Sequence, residues 1–156
     1  MLLRADHALG GLYCNELLVR LTAREDAHPR LFDAYAEAVR ALGRGEPESP
    51  ILRRFELALL QELGYEAGLA HEGDSGEPVR PEGRYLYIIE RGPLRLESLE
   101  EEGVNAAALR EQPLLSGQTL LDMAAGDFSR AETLAQSKQL LRMLINHTLG
   151  GQPLQS

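Results

Sequence analysis

Ser49-Pro50-Ile51-Leu52-Arg53-Arg54-Phe55-Glu56-Leu57-Ala58-Leu59-Leu60-Gln61-Glu62-Leu63-Gly64 is the stretch that decides the fold. Ser49 supplies a capping hydroxyl, and Pro50 suits a first turn because its missing N–H has no partner there in any case. Apolar residues recur from Ile51 to Leu63, and Gly64 marks the stop. Leu52, Phe55, Leu59 and Leu63 share one helical stripe, which predicts a helix with that row in the core.

Two more helices are expected upstream. His7 to Ala23 carries Leu9, Tyr13 and Leu17 on one row, with Cys14, Leu18 and Leu21 beside it, before the polar break Arg24-Glu25-Asp26. The next helix follows Pro29, with Leu31, Phe32, Tyr35, Val39 and Leu42 as its stripe and Gly43 and Gly45 at its end. Short turns between three such helices predict a small bundle.

Downstream the composition changes. Between His71 and Glu82 stand Gly73, Asp74, Ser75, Gly76, Pro78 and Pro81, which predicts a loop. Tyr85-Leu86-Tyr87-Ile88-Ile89 favours a strand, Arg91-Gly92-Pro93 a turn, and Leu94-Arg95-Leu96 the return strand of a short hairpin. Glu97 to Glu102 reads as a solvated acidic run. Ala106–Arg110 and Gly117–Ala125 read as short helices either side of Pro113. A last helix over Arg130–Leu149 has Ser129 as its cap and Gly150 and Gly151 beyond its end. The expectation is a mainly α fold: a small helical bundle with a loop and a short β-hairpin insertion. It is read as one domain over 1–156, made of a three-helix part (1–70), the loop and hairpin (71–97), and short helices with the long final helix (98–156).

Composition narrows the function classes. The 156 residues with 44% hydrophobic content can fill a core, and no apolar run approaches the ~20 residues of a membrane span. Leu2 and Leu3 meet Arg4 and Asp6 at once, so no signal-peptide core is expected. A single cysteine, Cys14, precludes an internal disulfide and any cysteine-based zinc cluster, which fits a cytoplasmic setting. A net charge of −8 makes a poor general binder of nucleic acid, whose affinity for proteins rests on cations displacing counterions.

Catalytic motifs are missing: no Walker loop, no GxSxG and no HExxH. His7, His28, His71 and His147 lack ligand spacing, and Cys14 sits in an apolar helical pattern. Glu100, Glu101 and Glu102 are adjacent, so their carboxylates diverge and suit a solvated face better than a divalent-ion hydrolase site. The expectation is no enzyme, no cofactor and no metal.

Two features remain as candidate binding sites. Arg53 lies one and two turns before Leu57 and Leu60 on a shared helical row. An arginine beside an uncovered leucine suits a peptide bearing a carboxylate and a large apolar side chain. The plainer arrangement, with Leu57 packed on a neighbour and Arg53 paired to Glu56, fits the same residues. The second feature is Lys138 and Arg142 on the last helix, with Arg130 two turns earlier, which could line a phosphate or carboxylate site or stand as ordinary exposed cations.

Leu12-Tyr13-Cys14-Asn15-Glu16-Leu17-Leu18 resembles the RecO family of recombination mediators. So do Leu52 to Leu60, Leu63-Gly64-Tyr65, Ser75-Gly76-Glu77-Pro78-Val79, and Leu149-Gly150-Gly151 with Pro153-Leu154. Order and spacing agree across these blocks, nearly chain-long. The resemblance implies the helical C-terminal part of such a mediator, without the N-terminal OB-fold barrel of the family. It implies a role in DNA repair and recombination by the RecF pathway: binding single-stranded DNA-binding protein, working with RecR, annealing strands and helping RecA load. The tail of single-stranded DNA-binding protein is acidic and ends in an apolar residue with a free carboxylate, so the resemblance favours Arg53 and Leu57 as its dock. Arg142 is an adjoining candidate; Arg130, Lys138 and Arg142 are candidates for weak single-stranded DNA contact. Many family members bind zinc through cysteine pairs, where this chain has Glu72 and Ser75. No structural metal is therefore expected, and the hairpin must be held by packing of Tyr85, Tyr87 and Ile89. Gln152 and Gln155 stand where basic residues are common.

Overall fold

The computed structural model describes residues 10–17, 29–62, 68–103 and 112–148. Internal contacts gather the chain into two compact units, residues 1–66 with 141–156, and residues 67–140. The fold is mainly α, as the periodicity predicts.

In the first unit, residues 10–17 are helical (α1), followed by α2 (Pro29–Gly43) and α3 (Glu48–Glu62). The C-terminal portion of the last helix (residues 141–148) also belongs here. On α1 the expected rows hold: Tyr13, Cys14 and Leu17 are buried. The rest of the helix expected over His7–Ala23 lies outside the described residues. At the end of α2, Glu46 N–H donates to Ala41 O and Gly45 N–H to Leu42 O, with Gly45 at φ 81°. That paired closure satisfies the last carbonyls and needs the left-handed backbone glycine adopts at little cost.

The packed side of α2 differs in detail from the expected stripe. Leu31 and Leu42 are buried as expected, but Ala38 and Ala41 join them while Phe32 is 52% exposed. Tyr35 meets Phe55 of α3 edge to face, ring centroids 6.4 Å apart. These small alanines lie on the side of α2 that faces α3, a role a search for large apolar residues overlooks. Helix α3 opens at Glu48, one residue before the expected Ser49 cap, and this acid suits the positive end of the helix dipole. Its buried positions are Ile51, Arg53, Phe55, Glu56, Leu57, Leu59 and Leu60; Leu52, assigned to the core row from its spacing, is only half-buried. Leu63 and Gly64 lie outside the described residues.

In the second unit the loop turns over residues 73–75 and 81–82 and closes with a bridge between His71 and Pro78. Strands β1 (Arg84–Ile88) and β2 (Gly92–Arg95) form the expected antiparallel hairpin, with Tyr85 opposite Arg95 and Ile88 opposite Gly92. The turn falls two residues earlier than expected, on residues 89–91 with Glu90 at φ 73°. Tyr85 and Tyr87 are buried, as their role in holding the hairpin requires, and the Tyr85 hydroxyl accepts from Arg80 N–H at 2.9 Å.

Two elements here were not expected. Strand β3 (Leu114–Ser116) pairs with the other edge of β1, giving a sheet in the order β2-β1-β3. The run read as solvated acid is helix α4 (Leu96–Glu101), whose Leu99 packs with Leu86 and Leu94. The short helix expected over Ala106–Arg110 lies outside the described residues.

Helix α5 (Gly117–Ala125) matches its expected bounds. Ser116 caps it, its hydroxyl accepting from Thr119 N–H at 3.1 Å, and Gly126 at φ 73° closes it. Position 117 tolerates only glycine, because a Cβ there would sit 1.6 Å from Arg80 O. Helix α6 (Ala131–Thr148) is the last described element and runs from the second unit into the first. Its expected cap, Ser129, instead donates its hydroxyl to Asp127 Oδ1 at 2.7 Å.

Candidate partner-docking site

One residue of α3 rotates the side chain by about 100°, so Arg53 and Arg54 serve different faces. Positions 53, 56, 57 and 60 form one row, and 51, 54, 55 and 58 the next. The first row is interior. Arg53 is 4% exposed, Leu57 is 8% exposed, and Glu56 and Leu60 are fully buried. Arg53 Nε donates to Glu56 Oε1, and the Tyr13 hydroxyl on α1 donates to Glu56 Oε2. The expectation of an open groove at Arg53 and Leu57 is therefore corrected. The row was read rightly, but the first unit covers it, and a charged pair can be buried when its hydrogen bonds are made inside.

Burial pushes the Glu56 carboxyl above its usual range, while Arg53, the Tyr13 hydroxyl and Arg142 act in the opposite direction. Burial first, then the neighbouring Glu56 charge and hydrogen bond, raise the Tyr13 phenol well above its usual range. The Cys14 thiol is pushed up to about 12, mainly by burial, then by Glu56 and Glu48. A thiol so held is a packing residue, not a nucleophile.

The second row faces α2. A cleft of about 300 Å³ opens there between Ala38 and Ala41 of α2 and Ile51, Phe55 and Ala58 of α3. Arg54 lines it and is exposed. Among the described residues its side chain has no ion-pair partner, unlike Arg53. The acids at the mouth are already matched: Glu37 is bound by Arg40 at 3.1 Å and Arg44 at 3.4 Å, and Glu46 by Arg44 at 2.6 Å. These hydrogen bonds, that from Arg40 foremost, hold the Glu37 carboxyl below its usual range. Arg54 is thus the surplus cation at an apolar cleft. The sequence held the signal: the two arginines are adjacent and alike in charge, and only the packing direction separates them.

The cations proposed for nucleic acid differ in their surroundings. Arg130 is paired, its Nη1 lying 3.2 Å from Asp122 Oδ2 and its Nη2 3.6 Å from Glu132. This corrects its reading as a receptor for phosphate, because its charge is already matched on both sides. Asp122 also accepts from Gln118 at 2.7 Å and from the buried Thr133 hydroxyl at 2.7 Å. Burial acts to raise the Asp122 carboxyl, but the bonds from Thr133, Gln118 and Arg130 outweigh it and hold the acid below its usual range. Lys138 is exposed. Arg142 is half-buried, its guanidinium 5.8 Å from the centre of the Tyr13 ring.

A family model described as "Recombination protein O C terminal" matches residues 5–156. The chain belongs to the RecO C-terminal family. It is 67% identical over 146 residues to the DNA repair protein RecO of Aromatoleum aromaticum, covering 94% of this chain and 57% of that protein. Against the protein of the same name from Azoarcus sp. it is 62% identical over 155 residues, covering 99% and 61%. Against that of Cupriavidus metallidurans it is 45% identical over 154 residues, covering 99% and 49%. The chain thus spans about half to three fifths of the length of these RecO relatives.

Where the RecO resemblance sets a first cysteine pair, Glu72 meets the hairpin through an ion pair, and the Ser75 hydroxyl accepts from Glu77 N–H at 3.2 Å within the loop. Glu72 is buried and lies 3.3 Å from Arg95 Nε of β2, Arg95 also lies 3.6 Å from Glu77, and Asp74 pairs with Arg91. Gly73 N–H donates to Pro93 O at 2.9 Å, and a Cβ at Gly73 would fall 1.6 Å from Arg91 O. The loop is laid directly on the turn. Among the described residues no group of three or more His, Cys, Asp or Glu side chains could hold a metal ion. Nor is any described helix long and apolar enough to cross a membrane.

Proposed function

We propose that this RecO-family chain is a non-enzymatic interaction module of a recombination mediator. In this reading it docks the acidic, apolar-ended tail of single-stranded DNA-binding protein in the cleft between α2 and α3. The observation that carries the reading is Arg54, exposed and unmatched beside Ile51, Phe55 and Ala58. A cleft of about 300 Å³ is at the small end of ligand sites and takes one large apolar side chain with its flanking backbone. The tail's terminal carboxylate then meets the fork of Arg54, which suits two parallel hydrogen bonds. The family membership supports the repair setting; the reading adds RecR as a further partner and the cytoplasm as the place of action. Direct single-stranded DNA contact is the weaker reading, because Arg130 is spent and the net charge is −8.

Fluorescence titration of a labelled tail peptide tests the docking. Arg54→Ala is expected to weaken binding about tenfold or more, in line with loss of an arginine anchor worth more than ~1 kcal/mol at an interface. Its melting temperature should stay at the wild-type value. Unchanged affinity in this variant would remove the site.

A further inference from the structure

The RecO resemblance sets the first half of a zinc site at Glu72 and Ser75, so whether these residues suit a metal decides how the loop before the hairpin is held. They do not suit one. Structural zinc takes mainly thiolate and imidazole ligands. Ser75 offers a neutral hydroxyl that accepts from Glu77 N–H within the loop, and the buried Glu72 turns its Oε1 to Arg95 Nε of β2. The adjoining cavity of about 180 Å³ is lined by Glu72, Asp74, Ser75, Arg95 and Glu102. A divalent cation entering it meets a guanidinium already set against the buried acid, and like charges repel strongly where water is scarce.

The same residues show another tie. The loop from His71 to Pro78 carries three acids, Glu72, Asp74 and Glu77, and each pairs with an arginine of the hairpin. Arg95 reaches Glu72 through Nε and Glu77 through Nη2, while Arg91 in the turn pairs with Asp74. The Gly73 N–H donates across to Pro93 O between them. The two ties differ in strength. Arg91 and Asp74 are both about half exposed, where an ion pair contributes little. Glu72 is buried and Arg95 is mostly covered, so loss of this arginine leaves a carboxylate uncompensated inside the fold.

We propose that Arg95 takes the place of the metal: its guanidinium is the fixed cation that joins Glu72 and Glu77 to β2 and latches the loop onto the hairpin. A guanidinium suits this task because its planar array of N–H donors serves two carboxylates at once, which a lysine ammonium does with less fixed geometry. The latch makes the loop's docking a property of the chain's own charges, independent of zinc supply. All these groups belong to the second unit, so neither outcome of the test bears on docking at Arg54.

Amide hydrogen exchange at Gly73 in the full chain tests this, because that N–H crosses from loop to hairpin. In the wild type, neither excess EDTA nor equimolar zinc(II) should change its rate. Arg95→Met should raise the rate about tenfold or more, since loss of one member of a buried pair lets the loop open locally. Amides paired between β1 and β3 should exchange no faster. Adding Glu72→Gln to Arg95→Met removes both charges and should return the rate toward wild type, a recovery that a side chain needed only for packing would not give. If Arg95→Met fails to fold, Arg95→Lys, which keeps the charge and loses the fork, should raise the rate several-fold. A wild-type rate slowed by zinc or quickened by EDTA means a metal site and overturns the latch. A rate unmoved by the arginine variants leaves the loop held by backbone contacts alone, and a double variant as fast as Arg95→Met overturns the charge pairing.

Discussion

Arg53 and Arg54 are neighbours in sequence and opposites in the fold. The first is 4% exposed and locked to Glu56, while the second is exposed at an apolar cleft with its charge unmatched. A residue's charge does not tell which way it faces; the helical row does, and only once the neighbouring elements are placed. The interior row spends its arginine on cohesion, and the outer row leaves one available for a partner.

The most severe way to break this contrast is Arg53→Ala. Removing one partner of a buried ion pair leaves Glu56 uncompensated, so about 3–5 kcal/mol of stability should be lost in urea unfolding. Arg54→Ala should stay within about 0.5 kcal/mol in the same assay. Equal effects from the two variants would erase the distinction between the rows. Next in size is Leu57→Ala, expected to cost about 2–4 kcal/mol because the side chain is 8% exposed and its loss leaves a cavity. A surface leucine would cost far less, so a near-zero value would restore the open-groove arrangement.

A smaller effect sharpens a parallel contrast between two buried acids. In the second unit, Thr133→Val removes a hydroxyl 2.7 Å from Asp122 and should cost about 1.5–3 kcal/mol, as for hydrogen bonds to charged groups. The Asp122 acid is held low in the folded chain, so its contribution is present above the unfolded pKa of about 4 and is lost as pH falls through the folded value. The gap between Thr133→Val and wild type should therefore narrow on the acid side. Glu56 has the opposite sign. Its carboxyl is raised, so its contribution is greatest below about pH 4.3 and declines as pH rises through the folded value. Stability of wild type relative to Glu56→Gln should fall with rising pH, and relative to Asp122→Asn should fall with declining pH. Identical slopes for the two substitutions would contradict these environments.

Much of the architecture was legible because it rests on periodicity and punctuation. Helices α2, α3, α5 and α6 fall within one or two residues of their expected bounds, and the hairpin is where the β-favouring run from Tyr85 to Ile89 puts it. Helix α4 escaped because six residues with Leu99 as the buried one carry no repeat. Strand β3 escaped because three residues cannot show alternation; its pairing is set by β1. Phe32 looked like core, yet Ala38 and Ala41 are buried on the side of α2 that faces α3, and small residues leave little mark in a hydrophobic pattern. At the candidate site, the helix and the residue types were legible but not the turn of the wheel. Arg53 and Leu57 share a row in either arrangement, and which row is covered depends on Tyr13 and Arg142, distant in sequence.

The docking claim is tested most directly by alanine-methyl NMR during titration with the tail peptide. The account predicts saturating shifts at Ala38, Ala41 and Ala58, which line the cleft beside Arg54. Methyls that stay still there while signals elsewhere in the chain move to saturation would contradict it.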